Sequence, residues 1–102
     1  MLDDVFHALA DPTRRSLVER LTRGPASVSE LAAPLPMSLP AVMQHLAVLD
    51  AAGLTHSEKR GRVRWRRLNV EAMAAAETWI ADRRRLWNAR LDALERHLKS
   101  DT

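Results

Sequence analysis

The sequence predicts a mainly α-helical single domain that contains one two-stranded β-hairpin and ends in a long helix. Three observations support this class. Residues 38–53 carry an amphipathic helical pattern, residues 54–69 change to the alternation of β-strands, and residues 70–99 contain neither Gly nor Pro. A chain of 102 residues is long enough for one domain. We therefore expect short helices first, then a hairpin, then one long helix.

The helix over residues 38–53 has the strongest signals. Ser38 suits an N-cap, Pro40 lies in the first turn, and Gly53 is placed to end the helix. Apolar residues recur at a 3-4-3 spacing and predict a buried stripe of Leu39, Val42, Leu46 and Leu49. The opposite face carries Pro40, Ala41, Gln44, His45 and Val48. Such a helix suits the major groove of DNA, which is about 12 Å wide.

Three shorter helices are expected before this one. Residues 3–10 predict the first, and Asp11 and Pro12 open a second that extends to about residue 23. Ser27 and Glu30 have the spacing of a capping box, which begins a third helix over residues 28–33. Two prolines then force a turn. Residues 27–53 therefore predict a helix-turn-helix.

Residues 54–69 predict a hairpin with Gly61 in its turn, and a hairpin at this place is the wing of a winged helix-turn-helix. We expect Val63 and Trp65 to face the helices, and the alternating arginines Arg62, Arg64 and Arg66 to form a cationic face. Charge supports contact with a polyanion. The segment holds six Lys or Arg and one Glu, whereas residues 1–53 hold four Arg and six acidic residues, and residues 70–102 hold six of each sign.

Residues 70–100 predict a C-terminal helix of about 45 Å. A helix of this length overshoots a small winged domain, so its far end needs a cover, and a second copy of the chain is the simplest one. The sequence leaves open whether the helix continues through residues 82–85. The apolar residues that need the cover are Trp87, Leu91, Leu94 and Leu98.

Several classes of protein are disfavoured. The chain has no Cys, its four His lie on separate predicted elements, and it has neither a Gly-rich phosphate loop nor a nucleophile elbow. We expect no enzyme activity, no metal site and no cofactor. No run of 18 apolar residues is present, and the acidic N-terminus lacks a signal-peptide pattern. We therefore expect a cytoplasmic protein without membrane contact.

The sequence resembles the ArsR-type winged-helix repressors in residues 6–15, 28–32, 37–46 and 60–62, with Leu49 and Gly53-Leu54. The resemblance implies a homodimer that binds a partly palindromic operator and represses its own promoter. It places the dimer interface on the first and last helices, which adds Val5, Phe6 and Leu9 to the residues above. The DNA contacts that it implies are Ser38, Pro40, Ala41, Gln44, His45, Arg60, Arg62 and Arg64.

The chain departs from some members of that family. Many of them have Ser where this chain has Met43, and the metal-sensing members carry Cys pairs or Asp/His sets that are missing here. The sequence is closest to a subgroup without metal sensing, which ends in a Trp-rich helix with RLDALE, here residues 90–95. The operator, the regulated genes and any effector stay open. A second hypothesis also stays open, in which the winged helix only binds an acidic protein partner.

Overall fold

The structure is a computed structural model that describes residues 2–100. In chain order these residues form α1 (Leu2–Leu9), α2 (Pro12–Leu21), β1 (Ala26–Ser27), α3 (Val28–Ala32), α4 (Leu39–Ala51), β2 (Thr55–Arg60), β3 (Val63–Leu68) and α5 (Val70–Ser100). The mainly helical class, the helix-turn-helix, the hairpin and the long last helix are confirmed.

The predicted caps explain where the helices begin. Asp11 accepts a hydrogen bond from the backbone N–H of Arg14 at 2.9 Å and so caps α2. Ser27 accepts from the backbone N–H of Glu30 at 3.2 Å at the start of α3. The capping box is confirmed in modified form, because the Glu30 carboxylate accepts from the Ser27 hydroxyl rather than from its backbone.

The sheet has three strands, not the two that were predicted, in the antiparallel order β1-β3-β2. The additional strand is the two-residue β1, whose Ala26 and Ser27 lie opposite Arg66 and Trp65 of β3. A segment of two residues is too short to show alternation, so the sequence pattern could not reveal it. This strand ties the wing to the beginning of α3.

The core lies where α4 meets the other short helices. Val42, Leu46 and Leu49 of α4 are fully buried against residues of α2, α3 and the segment that follows α4. The prediction for Leu39 was wrong, because this side chain is 50% exposed. It lies in the first turn of α4, at the edge of the packed helices, so helical spacing alone placed it inside. The other core side chains include Leu17, Val18, Leu21, Leu31 and Leu54.

The last helix is continuous over 31 residues, which answers the question left open at residues 82–85. Within that segment Asp82 and Arg85 form an ion pair along the helix surface. The first turns of α5 pack on the body of the domain, where Ala76 is buried. Because the rest of α5 extends beyond the body, the chain measures 71 × 26 × 22 Å along its principal axes.

Candidate nucleic-acid interface

The beginning of α4 is fixed by a side-chain cap. The Ser38 hydroxyl accepts from the backbone N–H of Ala41 at 3.4 Å, and the Ser38 carbonyl accepts from the backbone N–H of Val42 at 3.1 Å. Pro40 follows within the first turn, where a missing N–H has no cost. Ser38 and Pro40 are exposed and Ala41 is half-buried. The small side chains here let a ligand approach the helix backbone closely.

The outward face of α4 presents one strong hydrogen-bonding group. Gln44 is exposed, one turn after Pro40, and none of the described residues bonds to its side chain. Its amide has both donors and an acceptor, as bidentate contact with adenine requires. Met43 beside it is 50% exposed. The predicted exposure of Gln44 is confirmed.

His45 is not the free side chain that the helical pattern predicted. Its side chain is 24% exposed, and its Nδ1 lies 3.4 Å from Arg14 Nη1 and 3.8 Å from Asp11 Oδ2. Arg14 is itself held, because its guanidinium donates to the backbone carbonyls of Ala8 and His7. His45 therefore ties α4 to α2, since that flank of α4 packs against the α1–α2 corner.

The Asp11 carboxylate of this corner is held in its ionised form. The hydrogen bond from the backbone N–H of Arg14 is the main cause that lowers the pKa of Asp11; burial opposes it, and the neighbouring charges of Arg14 and His45 add to the lowering. An ionised Asp11 is the form that caps α2 best.

The wing turns at Gly61, between β2 and β3. Gly61 has a φ of +64°, and it is the first central residue of a two-residue turn, which matches a type II′ hairpin. Arg60, Arg62 and Arg64 are exposed around this turn. Arg60 Nη2 lies 3.3 Å from Glu58 Oε2. Neither Arg62 nor Arg64 has an acidic partner within residues 2–100. The wing tip therefore offers guanidinium groups to solvent.

Arg66 lies on the same side of β3 as Arg64 but is not exposed, which corrects the prediction that it belongs to a solvent-facing cationic face. Its side chain is 13% exposed and pairs with Asp50 in the last turn of α4. The same carboxylate accepts a hydrogen bond from the Thr55 hydroxyl, so Asp50 joins α4 to both β2 and β3. Sequence reasoning missed this cluster, although one signal was available: Asp50 is the single charged residue (His apart) in the otherwise uncharged α4.

The two apolar wing residues were also assigned to the wrong side. Val63 is 44% exposed and Trp65 is half-buried, and neither belongs to the core. Because side chains alternate along a strand, the inward turn of Arg66 and Leu68 places Val63 and Trp65 on the outer face of the sheet. The core prefers apolar residues, but here the register is set by the Asp50–Arg66 pair and Leu68.

The predicted interface residues of α1 divide into two groups. Val5 is 4% exposed and lies in the chain's own core, so it has no surface for a second chain and its assignment is corrected. Phe6 and Leu9 are half-buried at the edge of that core. The Phe6 ring packs edge-on against Trp79 of α5, with ring centroids 5.7 Å apart, and the guanidinium carbon of Arg83 lies 4.7 Å from the centroid of the Trp79 ring.

The second half of α5 carries an uncovered apolar stripe. Its large side chains are each at least 44% exposed: Trp87, Leu91, Leu94 and Leu98 lie along the stripe, and Leu86 lies beside it. The body of the domain lies too far back along the helix to reach them. The sequence prediction that Trp87, Leu91, Leu94 and Leu98 lack cover from their own chain is confirmed for residues 2–100.

Comparison with known proteins gives one consistent family. A family described as a helix-turn-helix domain matches residues 9–58. The HTH-type transcriptional regulator Rv2034 of Mycobacterium tuberculosis is 42% identical over 99 residues, which cover 97% of this chain and 90% of that protein. A crystal structure of an ArsR family transcriptional regulator has a TM-score of 0.80 and 47% identity, over 85% of this chain and 90% of that one. This chain belongs to the ArsR family of winged helix-turn-helix transcriptional regulators.

Other members support the same assignment. An ArsR-like transcriptional regulator from Rhodococcus sp. RHA1 has a TM-score of 0.81 and 35% identity, over 93% of this chain and 90% of that one. The transcriptional repressor SdpR of Bacillus subtilis is 27% identical, over 78% of this chain and 88% of that protein. This ArsR-family chain is thus a DNA-binding transcriptional regulator and not an enzyme. The alternative of a module that only binds an acidic protein is not favoured.

The described part of this ArsR-family protein shows no cluster suited to a metal ion. Within residues 2–100, no three His, Cys, Asp or Glu side chains come together in a suitable group. No helix in the same residues is long and apolar enough to cross a membrane.

Proposed function

We propose that this protein is a homodimeric repressor that binds a palindromic operator in its own promoter. The observation that carries the proposal is the Asp50–Arg66 ion pair, which joins α4 to the wing strand β3. The exposed face of α4 and the arginines of the wing are joined by the Asp50–Arg66 pair, so the helix and the wing have a fixed relative position. One contacts bases and the other contacts the flanking backbone.

Base contact falls to the outward face of α4. The Gln44 amide suits an adenine edge in the major groove. Ser38, Pro40 and Ala41 allow the helix N-terminus to lie close to the sugar-phosphate backbone, which the helix dipole favours. His45 has a supporting role in this proposal, because its contacts with Arg14 and Asp11 hold α4 against α2.

Phosphate contact falls to the wing. Arg60, Arg62 and Arg64 are exposed around the turn, and guanidinium groups pair well with phosphate oxygens. Arg66 does not contribute, because its charge is balanced by Asp50. The wing therefore adds affinity that depends on salt and carries little information about sequence.

The two chains pair through α5, and Phe6 and Leu9 of α1 contribute to the interface near the body of the domain. A stripe of large apolar side chains on a helix that extends from the body is costly to leave in water. A second copy offers an identical stripe, so antiparallel or crossed pairing of two α5 helices about a two-fold axis covers both. That symmetry in turn predicts an operator with two related half-sites.

We propose that no metal ion acts as the effector of this regulator. The chain has no Cys, and its His side chains lie on separate elements. We place the protein in the cytoplasm, where the DNA that it regulates is found.

The test is binding of the purified protein to a labelled duplex from its own promoter and to a random duplex of equal length. We expect the promoter duplex to be bound at least about a thousandfold more tightly, which is the lower end for specific regulators. Sedimentation of the complex should give two chains per duplex. Equal affinity for both duplexes would contradict the proposal, and affinity for acidic proteins instead would revive the alternative.

A further inference from the structure

Met43 is an exposed apolar side chain on the side of α4 that faces the wing. It is 50% exposed, and it lies seven residues, or about two helical turns, before Asp50. Asp50 contacts Thr55 of β2 and Arg66 of β3, so the flank shared by Met43 and Asp50 is the one that faces the wing. Met43 therefore lies between Gln44 and the wing.

The major groove offers few apolar groups to such a side chain. Base edges present hydrogen-bond donors and acceptors there, and the main apolar group is the 5-methyl of thymine. A thioether cannot satisfy the polar groups, whereas its flexible and polarisable chain packs well on a methyl. We propose that Met43 contacts one thymine methyl in each operator half-site and thereby favours thymine over other pyrimidines. This inference rests on the proposed function, because it requires α4 to lie in the major groove.

Leu39 is the competing candidate for the same contact. It is also 50% exposed, and it lies one turn before Met43. Its position directly after Ser38 places it nearer to the sugar-phosphate backbone than to the base edges, because the N-terminus of α4 is the part that faces the phosphates in the proposed complex. Met43 is instead next to Gln44, the assigned base contact.

The experiment removes single methyl groups from the DNA. Duplexes that wild-type protein binds from a randomised pool define the preferred half-site, and each thymine in it is then replaced by deoxyuridine. We expect one position per half-site at which this replacement weakens binding about fourfold, the value of one buried methyl, and about fifteenfold when both half-sites are changed. Met43→Ala should bind about equally to the thymine and uracil duplexes, while Met43→Leu should keep most of the difference.

Control variants separate this outcome from others. Val70→Ala removes an apolar side chain that is 66% exposed at the start of α5 and is not part of α4, and it should keep the wild-type response to uracil. A wild-type protein that prefers a sequence but tolerates every uracil would overturn this inference alone. Loss of the response in Leu39→Ala but not in Met43→Ala would overturn it as well. Absence of any preferred duplex would overturn both this inference and the proposed function.

Discussion

At the scale of single residues, a carboxylate from another part of the chain holds His45 and Arg66, whereas the caps at Asp11 and Ser38 are built within one helical turn. The Ser38 cap, the Asp11 cap and the exposure of Gln44 are decided within one helical turn, and all three were predicted correctly. His45 lies on the polar side of a helical pattern, and Arg66 lies on the polar side of a strand pattern. Both were therefore assigned to the solvent side. Each turns inward because a carboxylate from another element, Asp11 or Asp50, lies opposite.

Gln44→Ala tests base contact by one side chain. We expect the affinity for the operator to fall by about 1–3 kcal/mol, because a bidentate contact with a base is lost, and the affinity for random DNA to change little. Fluorescence anisotropy with both duplexes measures the two values. Asn88→Ala, an exposed polar change on α5, is the control. An equal loss on both duplexes would show that Gln44 contacts the backbone instead.

Arg66→Met tests the inward-facing arginine. Breaking its pair leaves the partly buried Asp50 without its cation, so we expect a loss of about 1–3 kcal/mol in the free energy of unfolding. Arg64→Met, on the same strand but exposed, should stay within about 0.5 kcal/mol of wild type. The double variant Asp50→Leu with Arg66→Met should recover part of the loss, and urea unfolding measures all four proteins. If Arg64→Met is the more damaging change, the inward assignment of Arg66 is wrong.

At the scale of elements, helix boundaries were predictable and strand faces were not. Prolines, glycines and caps mark the ends of helices, so α2 to α5 begin where the sequence indicated. The hairpin was found from Gly61, but its two faces were exchanged: Val63 and Trp65 lie outside. Alternation gives two equivalent choices, and the packing of Leu68 on the core and the position of Asp50 on the neighbouring helix decide between them.

Replacing Arg60, Arg62 and Arg64 by Ala tests the wing. A dimer loses six charges, and if about half of them contact phosphate, the slope of log affinity against log salt should decrease by about 2.5–3. Affinity for random DNA should fall as well. The domain should stay folded, since all three side chains are exposed. Salt titrations on operator and random duplexes measure the slopes.

The matched control is the replacement of Arg83, Arg84 and Arg85 by Ala, which removes the same charge from α5. Its slope should stay near that of wild type, because these residues lie away from the wing. An unchanged slope in a folded, dimeric wing variant would move the phosphate contacts to another surface.

At the scale of the whole molecule, the shape itself indicates assembly. The last helix has 31 residues, its second half extends from a small body, and the apolar stripe there has no cover within residues 2–100. The sequence predicted the need for a cover, because a helix of this length overshoots the small domain. It could not show that Val5 belongs to the core rather than to the interface, because burial of α1 depends on how α1 packs against α2, α4 and α5.

Leu94→Asp tests the stripe. A charge in the middle of a paired apolar surface should convert a dimer into a monomer and destabilise the protein, because each chain then exposes its stripe. Ala89→Asp places the same charge on the opposite side of α5, away from the stripe, and should leave the dimer intact. Sedimentation at tens of micromolar measures both. A monomeric wild type under these conditions would reject the proposed assembly.

Stoichiometric zinc, cadmium or arsenite should leave operator affinity unchanged. The reason is the absence of thiolates and the separation of the histidines along the chain. Anisotropy titrations with and without each metal, followed by a chelator, give the measurement. Release of DNA by a metal, reversed by the chelator, would refute this expectation.

The three tryptophans give the protein a set of optical reporters, one in each region of interest. Trp65 lies on the outer face of the wing, Trp79 lies between Phe6 and Arg83 at the root of α5, and Trp87 lies 59% exposed in the uncovered stripe. Indole emission shifts to the blue when water is excluded from the ring. Variants that keep one tryptophan and replace the others by Phe would thus report DNA docking, docking of α1 on α5 and pairing of chains as three separate signals, without any attached dye.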